Sequence, residues 1–114
     1  GKACREFLFV DDLAEASVYV MNLDSGLYHK NILPMQSHIN VGFGSDITIR
    51  QLAETVAKTV GFEGSIEFDS SKPDGAPRKL MDSTLLNRLG WRAKTDFVSG
   101  LEIAYRDFLN SEKN

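Results

Sequence analysis

The pattern of hydrophobic and polar positions predicts short strands and helices from one end of the chain to the other. Residues Arg5–Val10 (REFLFV) are rich in aromatic and β-favouring side chains and predict a strand. Asp11 or Asp12 is then expected to cap a helix over Leu13–Asn22, which is apolar on more than one side. Ser25–Gln36 contains a glycine and a proline and predicts an irregular connector.

The middle of the chain carries a clear amphipathic helix. A short strand is predicted at His38–Val41, and Thr48 with Gln51 forms a capping box at the start of a helix over Ile49–Val60. Gly61 is a suitable residue to end that helix. Its apolar residues recur at helical spacing and predict one core-facing side, made of Ile49, Leu52, Ala53, Val56, Ala57 and Val60.

The last third of the chain predicts one more strand and two more helices. The elements are a strand at Ser65–Phe68, a polar loop at Asp69–Lys79, a short helix capped by Asp82 or Ser83 and running through Leu89, a helix at Phe97–Leu109, and a polar tail at Asn110–Asn114. Strands that alternate with helices indicate an α/β fold.

Length and composition limit what this fold can be. With 114 residues the chain makes one domain or a piece of one, and a hydrophobic content of 42% is that of a globular protein. The net charge of −3 gives no global reason to bind nucleic acid or an anionic membrane. No apolar run is long enough to span a bilayer. A single cysteine and two histidines make a zinc site improbable and favour a reducing, cytoplasmic environment.

The usual catalytic motifs are missing. None of the three tyrosines is followed four residues later by lysine, so the chain has no Tyr-x-x-x-Lys pair. Cys4 and His38 are interpreted as structural residues, since neither stands in a catalytic motif. Gly42-x-Gly44 resembles a dinucleotide-binding turn, but the third glycine is absent and Asp46 would repel a phosphate, so a plain strand-to-helix turn is favoured.

Basic residues gather in the polar loop although the chain is acidic. Lys72, Arg78 and Lys79 lie within eight residues of one another and outnumber Asp74. Such a loop suits a phosphate or diphosphate, with Asp74 free to accept hydrogen bonds from sugar hydroxyls, but it could equally be a solvated loop. Arg5 is open to two interpretations: a surface ion pair with Glu6, or a further cation that faces the phosphate.

Three stretches, in this order and spacing, resemble the extended short-chain dehydrogenase/reductases that act on nucleotide sugars. They are REFLFVDDLA at 5–14, INVGFG at 39–44 and LMDSTLLNRLGW at 80–91. The segment FDSSKPDGAPRK at 68–79 is more specific and resembles the GDP-L-fucose synthase family. The resemblance covers essentially the whole chain.

The resemblance implies a bifunctional enzyme that epimerises GDP-4-keto-6-deoxy-mannose and then reduces it with NADPH. It implies that residues 1–114 are the C-terminal substrate-binding part, without the N-terminal cofactor-binding domain and without the catalytic Ser, Tyr and Lys. The fragment alone is therefore expected to be inactive and to bind no NADP(H). By the same resemblance Arg5 contacts the GDP diphosphate, Asp74 contacts the nucleoside or its ribose, and Arg78 with Lys79 lines the anionic end of the pocket.

Two alternatives remain open from the sequence. The chain could belong to another nucleotide-sugar epimerase or reductase, or it could be a stand-alone module that binds a nucleotide sugar or another anion. The resemblance places His38–Val41 in the sheet of the missing domain, so the isolated chain is expected to expose strand edges. A homodimer or a strand-exchanged form is the predicted oligomeric state.

Overall fold

The computed structural model describes residues 1–113, which form five helices around a small three-stranded sheet. The helices are α1 (Val10–Met21), α2 (Ser25–Asn31), α3 (Ile49–Val60), α4 (Thr84–Arg88) and α5 (Phe97–Ser111), and the strands are β1 (Cys4–Arg5), β2 (Ile47–Thr48) and β3 (Arg78–Lys79). The predicted α/β class is confirmed. Strand β1 lies in the middle, antiparallel to β2 and parallel to β3.

Helix α3 matches its prediction at both ends. The Thr48 hydroxyl accepts a hydrogen bond from the Gln51 backbone N–H, and the Gln51 side chain accepts one from the Thr48 N–H, which completes the capping box. Gly61 ends the helix with φ of +73°, a left-handed conformation that glycine adopts without strain. The predicted final helix is also present and extends two residues further, to Ser111. The predicted polar tail is thus partly helical, and Asn114 lies outside the described residues.

The predicted caps of α1 are wrong. The helix begins at Val10 rather than Leu13, and Phe9 occupies the cap position without a side-chain hydrogen bond. Asp12 instead lies inside the first turn, where its buried carboxylate accepts hydrogen bonds from the backbone N–H groups of Lys94 and Thr95. The Asp12 carboxylate, which the local pattern predicted to cap the helix, therefore binds a distant segment of the chain instead.

The predicted connector at Ser25–Gln36 contains helix α2. Asp24 caps this helix by accepting a hydrogen bond from the Leu27 N–H at 3.0 Å. The cap residue was visible in the sequence, but the helix spans only two turns, too short for a clear hydrophobic period.

Three predicted strands do not form as the sequence indicated. Only Arg5 of the predicted strand Arg5–Val10 lies in a strand, since β1 is Cys4–Arg5 and Val10 already begins α1. The segments His38–Val41 and Ser65–Phe68 have no ladder partner among residues 1–113. The residues that pair with β1 instead belong to β2 and β3, which the hydrophobic pattern does not mark. Strand pairing depends on a partner from a distant part of the chain, which local alternation does not supply.

The core is small for a chain of this length. Within residues 1–113 only five hydrophobic side chains are buried, namely Ala3, Ala16, Leu86, Leu89 and Trp91. The molecule is a slab of 54 × 40 × 19 Å with a radius of gyration of 17.6 Å. A compact domain of this length would have a radius of gyration of about 13 Å. Many large apolar side chains, such as those of Met21 and Met35, consequently stay exposed. The side of α3 predicted to face the core is only half-buried and lines an open groove.

Candidate functional site

The sheet places two of the predicted site residues side by side. Arg5 in β1 is the ladder partner of Lys79 in β3, so both side chains leave the same face of the sheet from strands about 4.8 Å apart. Like charges in directly opposed positions destabilise a sheet. Within residues 1–113 neither cation has an acidic side chain within 4.0 Å. This face, which we call the cationic face, therefore holds two positive charges that the described chain leaves unbalanced.

Arg5 also shapes the loop that precedes β3. Its Nη1 donates to the backbone carbonyl of Cys4 at 2.6 Å and to that of Ala76 at 2.9 Å. A guanidinium has five N–H donors, so the other N–H groups remain available to a ligand. The loop is further tied to β1 by the Cys4 N–H, which donates to the Pro77 carbonyl at 2.8 Å.

Asp74 lies in the loop that precedes β3, two residues before Ala76. Its side chain is exposed and makes no hydrogen bond to residues 1–113. Gly75 follows with φ of +73°, so the turn reverses at a residue that tolerates this conformation. The structure thus brings Arg5, Lys79 and the loop that carries Asp74 to one region.

Arg78 is placed differently from Lys79. Adjacent strand residues point to opposite faces, so the Arg78 side chain leaves the other face of the sheet. There its Nε and Nη2 meet the two carboxylate oxygens of Asp46 at 2.6 and 3.2 Å. The hydrogen bond to Asp46 and the charge of this carboxylate raise the pKa of Arg78. Its role as a substrate-binding residue remains a prediction.

Glu6 ties together the two segments that flank this site. Its carboxylate accepts hydrogen bonds from the Gly44 N–H at 2.7 Å and from the Met81 N–H at 3.1 Å. A Cβ at Gly42 would lie 2.7 Å from a Glu6 carboxylate oxygen, so a larger residue there would require the Glu6 side chain to shift. The ion pair between Arg5 and Glu6 considered from the sequence does not form, because Glu6 bonds to backbone instead.

The same contact decides the nature of the Gly42-x-Gly44 turn. Its Gly44 N–H points at a carboxylate, and a phosphate placed there would be repelled by Glu6. The residues present therefore do not fit the pyrophosphate of a dinucleotide cofactor. The turn is also not the predicted strand-to-helix turn, because His38–Val41 forms no strand and the turn leads into β2 before α3 begins.

The remaining candidate residues stay apart from the cationic face. Cys4 is half-buried in β1, with its thiol near the Lys2 carbonyl at 3.7 Å. His38 is exposed at the edge of a polar groove with Asp82 and Arg88, so it does not pack in the core as a structural residue would. No cluster of three or more His, Cys, Asp or Glu side chains in residues 1–113 is placed to hold a metal ion. None of the helices over this range is long and apolar enough to cross a membrane.

Two residues that organise the site were missed in the sequence. Asp46 was considered only as a charge that disfavours phosphate, and Glu6 only as a partner of Arg5. The one available signal was Asp46 itself, an acidic residue between a glycine turn and a helix whose cap is already supplied by Thr48. No local pattern marks Glu6, since its partners lie 38 and 75 residues away.

Comparison with known proteins finds sequence relatives over nearly the whole chain. The GDP-L-fucose synthase of Escherichia coli strain K12 is 52% identical over 112 residues, which are 98% of this chain and 35% of that enzyme. GDP-L-fucose synthase 1 of Arabidopsis thaliana is 46% identical over 114 residues, which are 100% of this chain and 32% of that enzyme. No family model matches the chain.

A solved structure shows the same fold at a lower sequence identity. The GDP-D-glycero-L-gluco-heptose synthase of Campylobacter jejuni, determined in the presence of NADPH, superposes with a TM-score of 0.84 at 34% identity, over 96% of this chain and 31% of that one. The fold and the sequence relatives define the class as the extended short-chain dehydrogenases/reductases.

Within that class these sequence relatives over nearly the whole chain are GDP-L-fucose synthases, as the sequence predicted. The chain spans about a third of the length of the curated relatives it matches.

Proposed function

We propose that this chain is the C-terminal substrate-binding portion of a GDP-L-fucose synthase and that the cationic face holds the diphosphate of a GDP-sugar. The observation that carries the proposal is the unbalanced pair of Arg5 and Lys79 in adjacent strands. A diphosphate placed over them would neutralise both charges and accept hydrogen bonds from both side chains.

Each contact follows from the chemistry of its side chain. Arg5 is already anchored by two carbonyls, so its remaining N–H groups are held in a fixed direction and can grip two phosphate oxygens. Lys79 supplies a second, more flexible charge. Asp74 accepts hydrogen bonds from the ribose or the base of the nucleoside. Arg78 is given no direct phosphate contact, because its side chain leaves the other face of the sheet and Asp46 binds its guanidinium.

In the whole enzyme these residues would hold the GDP-sugar while the protein epimerises the 4-keto sugar and then reduces it with NADPH. The residues that perform the chemistry and bind NADP(H) lie outside this chain in the proposal, and the isolated chain is inactive. The cytoplasm is the proposed location, on the basis of the single cysteine.

Calorimetric titration with GDP and UDP tests the site directly. GDP is expected to bind, and Lys79→Gln is expected to weaken it about tenfold through the loss of one charge-assisted contact. Asp74→Ala should also weaken GDP binding. Lys72→Gln is the matched control, because it removes a charge from the same loop at a position outside the sheet.

Three outcomes would contradict the proposal. Equal losses for Lys79→Gln and Lys72→Gln would mean that only the net charge of the loop matters. A preference for UDP would indicate another nucleotide-sugar enzyme. No binding of either nucleotide would mean that this chain does not form the diphosphate site.

We also propose that the chain associates with a second copy of itself through the apolar side of α3. A groove of about 460 Å³ runs along this side, and it is almost entirely apolar. Its lining consists of Ile49, Leu52, Ala53, Val56, Ala57, Val60, Phe62 and Ile66. Covering such a surface is favourable, and an isologous contact would cover the stripe of both copies at once.

A further inference from the structure

The ion pair between Asp46 and Arg78 lies beside the proposed diphosphate site but on the other face of the sheet. We propose that these two residues form a positioning pair that sets the register of β3 and thereby places Lys79 next to Arg5. The inference rests on the proposed function for its consequence in ligand binding. Its structural part, the register of β3, is independent of any ligand.

The position of the pair within the sheet supports this role. Asp46 directly precedes β2, Arg78 opens β3, and β1 lies between these two strands. The pair therefore joins the two outer strands across the central one. The carboxylate of Asp46 is only 12% exposed, and both of its oxygens are used by the guanidinium. A two-pronged contact of this kind restricts direction as well as distance.

The other contacts that hold β3 involve only backbone groups beside it, namely the carbonyls of Ala76 and Pro77 and the N–H of Met81. Every residue carries such groups, so these contacts do not by themselves select which side chain of β3 faces which side. A strand normally keeps its register by burying the apolar residues of one face. Both residues of β3 are basic and exposed, and the loop before it is exposed over its whole length. A slip by one residue would exchange the faces of Arg78 and Lys79 without exposing any apolar side chain. The attraction of Asp46 for the forked guanidinium discriminates between these two registers.

The two possible roles of Arg78 lead to opposite expectations. If Arg78 binds the diphosphate itself, removing the charge of Asp46 frees a cation and GDP should bind more tightly. If Arg78 is a positioning residue, the same change loosens β3, moves Lys79 away from Arg5 and weakens GDP binding. The variant Asp46→Asn therefore separates the two roles by the sign of its effect.

The first measurement is of the free chain by NMR. Cross-strand nuclear Overhauser contacts should connect Cys4 with Arg78 and Arg5 with Lys79 in the unmodified chain. We expect these contacts to be lost in Asp46→Asn, to return in the charge-swapped variant Asp46→Arg with Arg78→Asp, and to persist in Glu67→Gln. Glu67 is the control for net charge, since its side chain is exposed and outside the sheet.

The second measurement is GDP affinity for the same variants, with the urea midpoint of each recorded alongside. Asp46→Asn and Arg78→Gln should each weaken binding about tenfold, the double variant should be no worse than either, and the charge swap should recover most of the loss. Glu67→Gln should change affinity by less than about twofold. If the single variants lost GDP affinity only because they were less stable, their urea midpoints would fall together. Such a loss of stability would not explain why the charge swap recovers GDP affinity.

Distinct results overturn the positioning role and the proposed function. Cross-strand contacts that persist in Asp46→Asn overturn the positioning role whether or not GDP binds. Tighter GDP binding by Asp46→Asn also overturns it and assigns Arg78 to the phosphate. A chain that shows the expected register changes but no GDP binding retains the positioning pair and loses the proposed diphosphate site.

Discussion

Replacing Asp12 with alanine is expected to lower the free energy of unfolding by about 4.5 kcal/mol. The Asp12 carboxylate is 4% exposed and accepts hydrogen bonds from the Thr95 N–H at 2.8 Å, the Lys94 N–H at 3.1 Å and the Thr95 hydroxyl at 3.1 Å. Hydrogen bonds to a charged group contribute about 1.5–3 kcal/mol each. We take the lower end of that range for the three bonds, because their donors are only partly buried and regain some water.

Asp11 provides the matched control. It lies in the same helical turn with the same favourable position near the helix N-terminus, but its side chain is exposed. Asp11→Ala should therefore cost only the interaction with the helix dipole, about 0.5 kcal/mol. Asp12→Asn retains one acceptor oxygen and should fall between the two alanine variants.

Urea unfolding followed by tryptophan fluorescence measures the free energy of unfolding of Asp12→Ala, Asp11→Ala and Asp12→Asn. Trp91 is the only tryptophan and is 3% exposed, so its emission reports the loss of the core. If Asp12→Ala fails to fold, the difference between Asp12→Asn and Asp11→Ala still measures the effect. The reasoning is refuted if Asp12→Ala and Asp11→Ala lie within about 1 kcal/mol of each other, because the contacts to Lys94 and Thr95 would then contribute little.

Two further predictions concern acid stability and self-association. Hydrogen bonds from the Ser99 backbone N–H and hydroxyl hold the pKa of Asp96 below its ordinary value of 3.8, so its contribution to stability is present above that pH and is lost as the pH falls through the lowered pKa. Asp96→Asn keeps a capping oxygen but does not titrate, so its stability should vary less with pH below about 4 than that of the unmodified chain; identical acid limbs would contradict this. In sedimentation the unmodified chain should form dimers that Val56→Lys disrupts, whereas Lys58→Glu on the exposed side of α3 should not. A monomer at every concentration would argue against the association.

Helix α3 shows which features a local pattern can predict. Its bounds, its capping box and its terminal glycine depend on residues within one or two turns of one another, and all three were found where expected. The predicted core-facing side was not, since it contains no buried residue and lines an open groove. Asp12 shows what a local pattern cannot predict. Its position suits a helix cap, but its carboxylate accepts hydrogen bonds from the N–H groups of Lys94 and Thr95, which lie 82 and 83 positions further along the chain.

The sequence likewise predicted some features of the candidate site and not others. The excess of cations near Arg78 and Lys79 and the presence of Asp74 were readable from the sequence, as was the family that their segment resembles. Which of the two cations would lie beside Arg5 was not readable, since consecutive strand residues face opposite sides and a shift of one residue exchanges them.

The sequence by itself determined the α/β class, the helices with complete local signals and the family that the chain resembles. Only the tertiary structure decided that β1 pairs with residues about 40 and 75 positions away, that Glu6 and Asp46 bind the segments around them, and that Lys79 rather than Arg78 shares a face with Arg5. The physical reason is that helix signals lie within a few residues of one another. Strand register and charge pairing instead depend on atoms that approach only after the chain has closed its long loops.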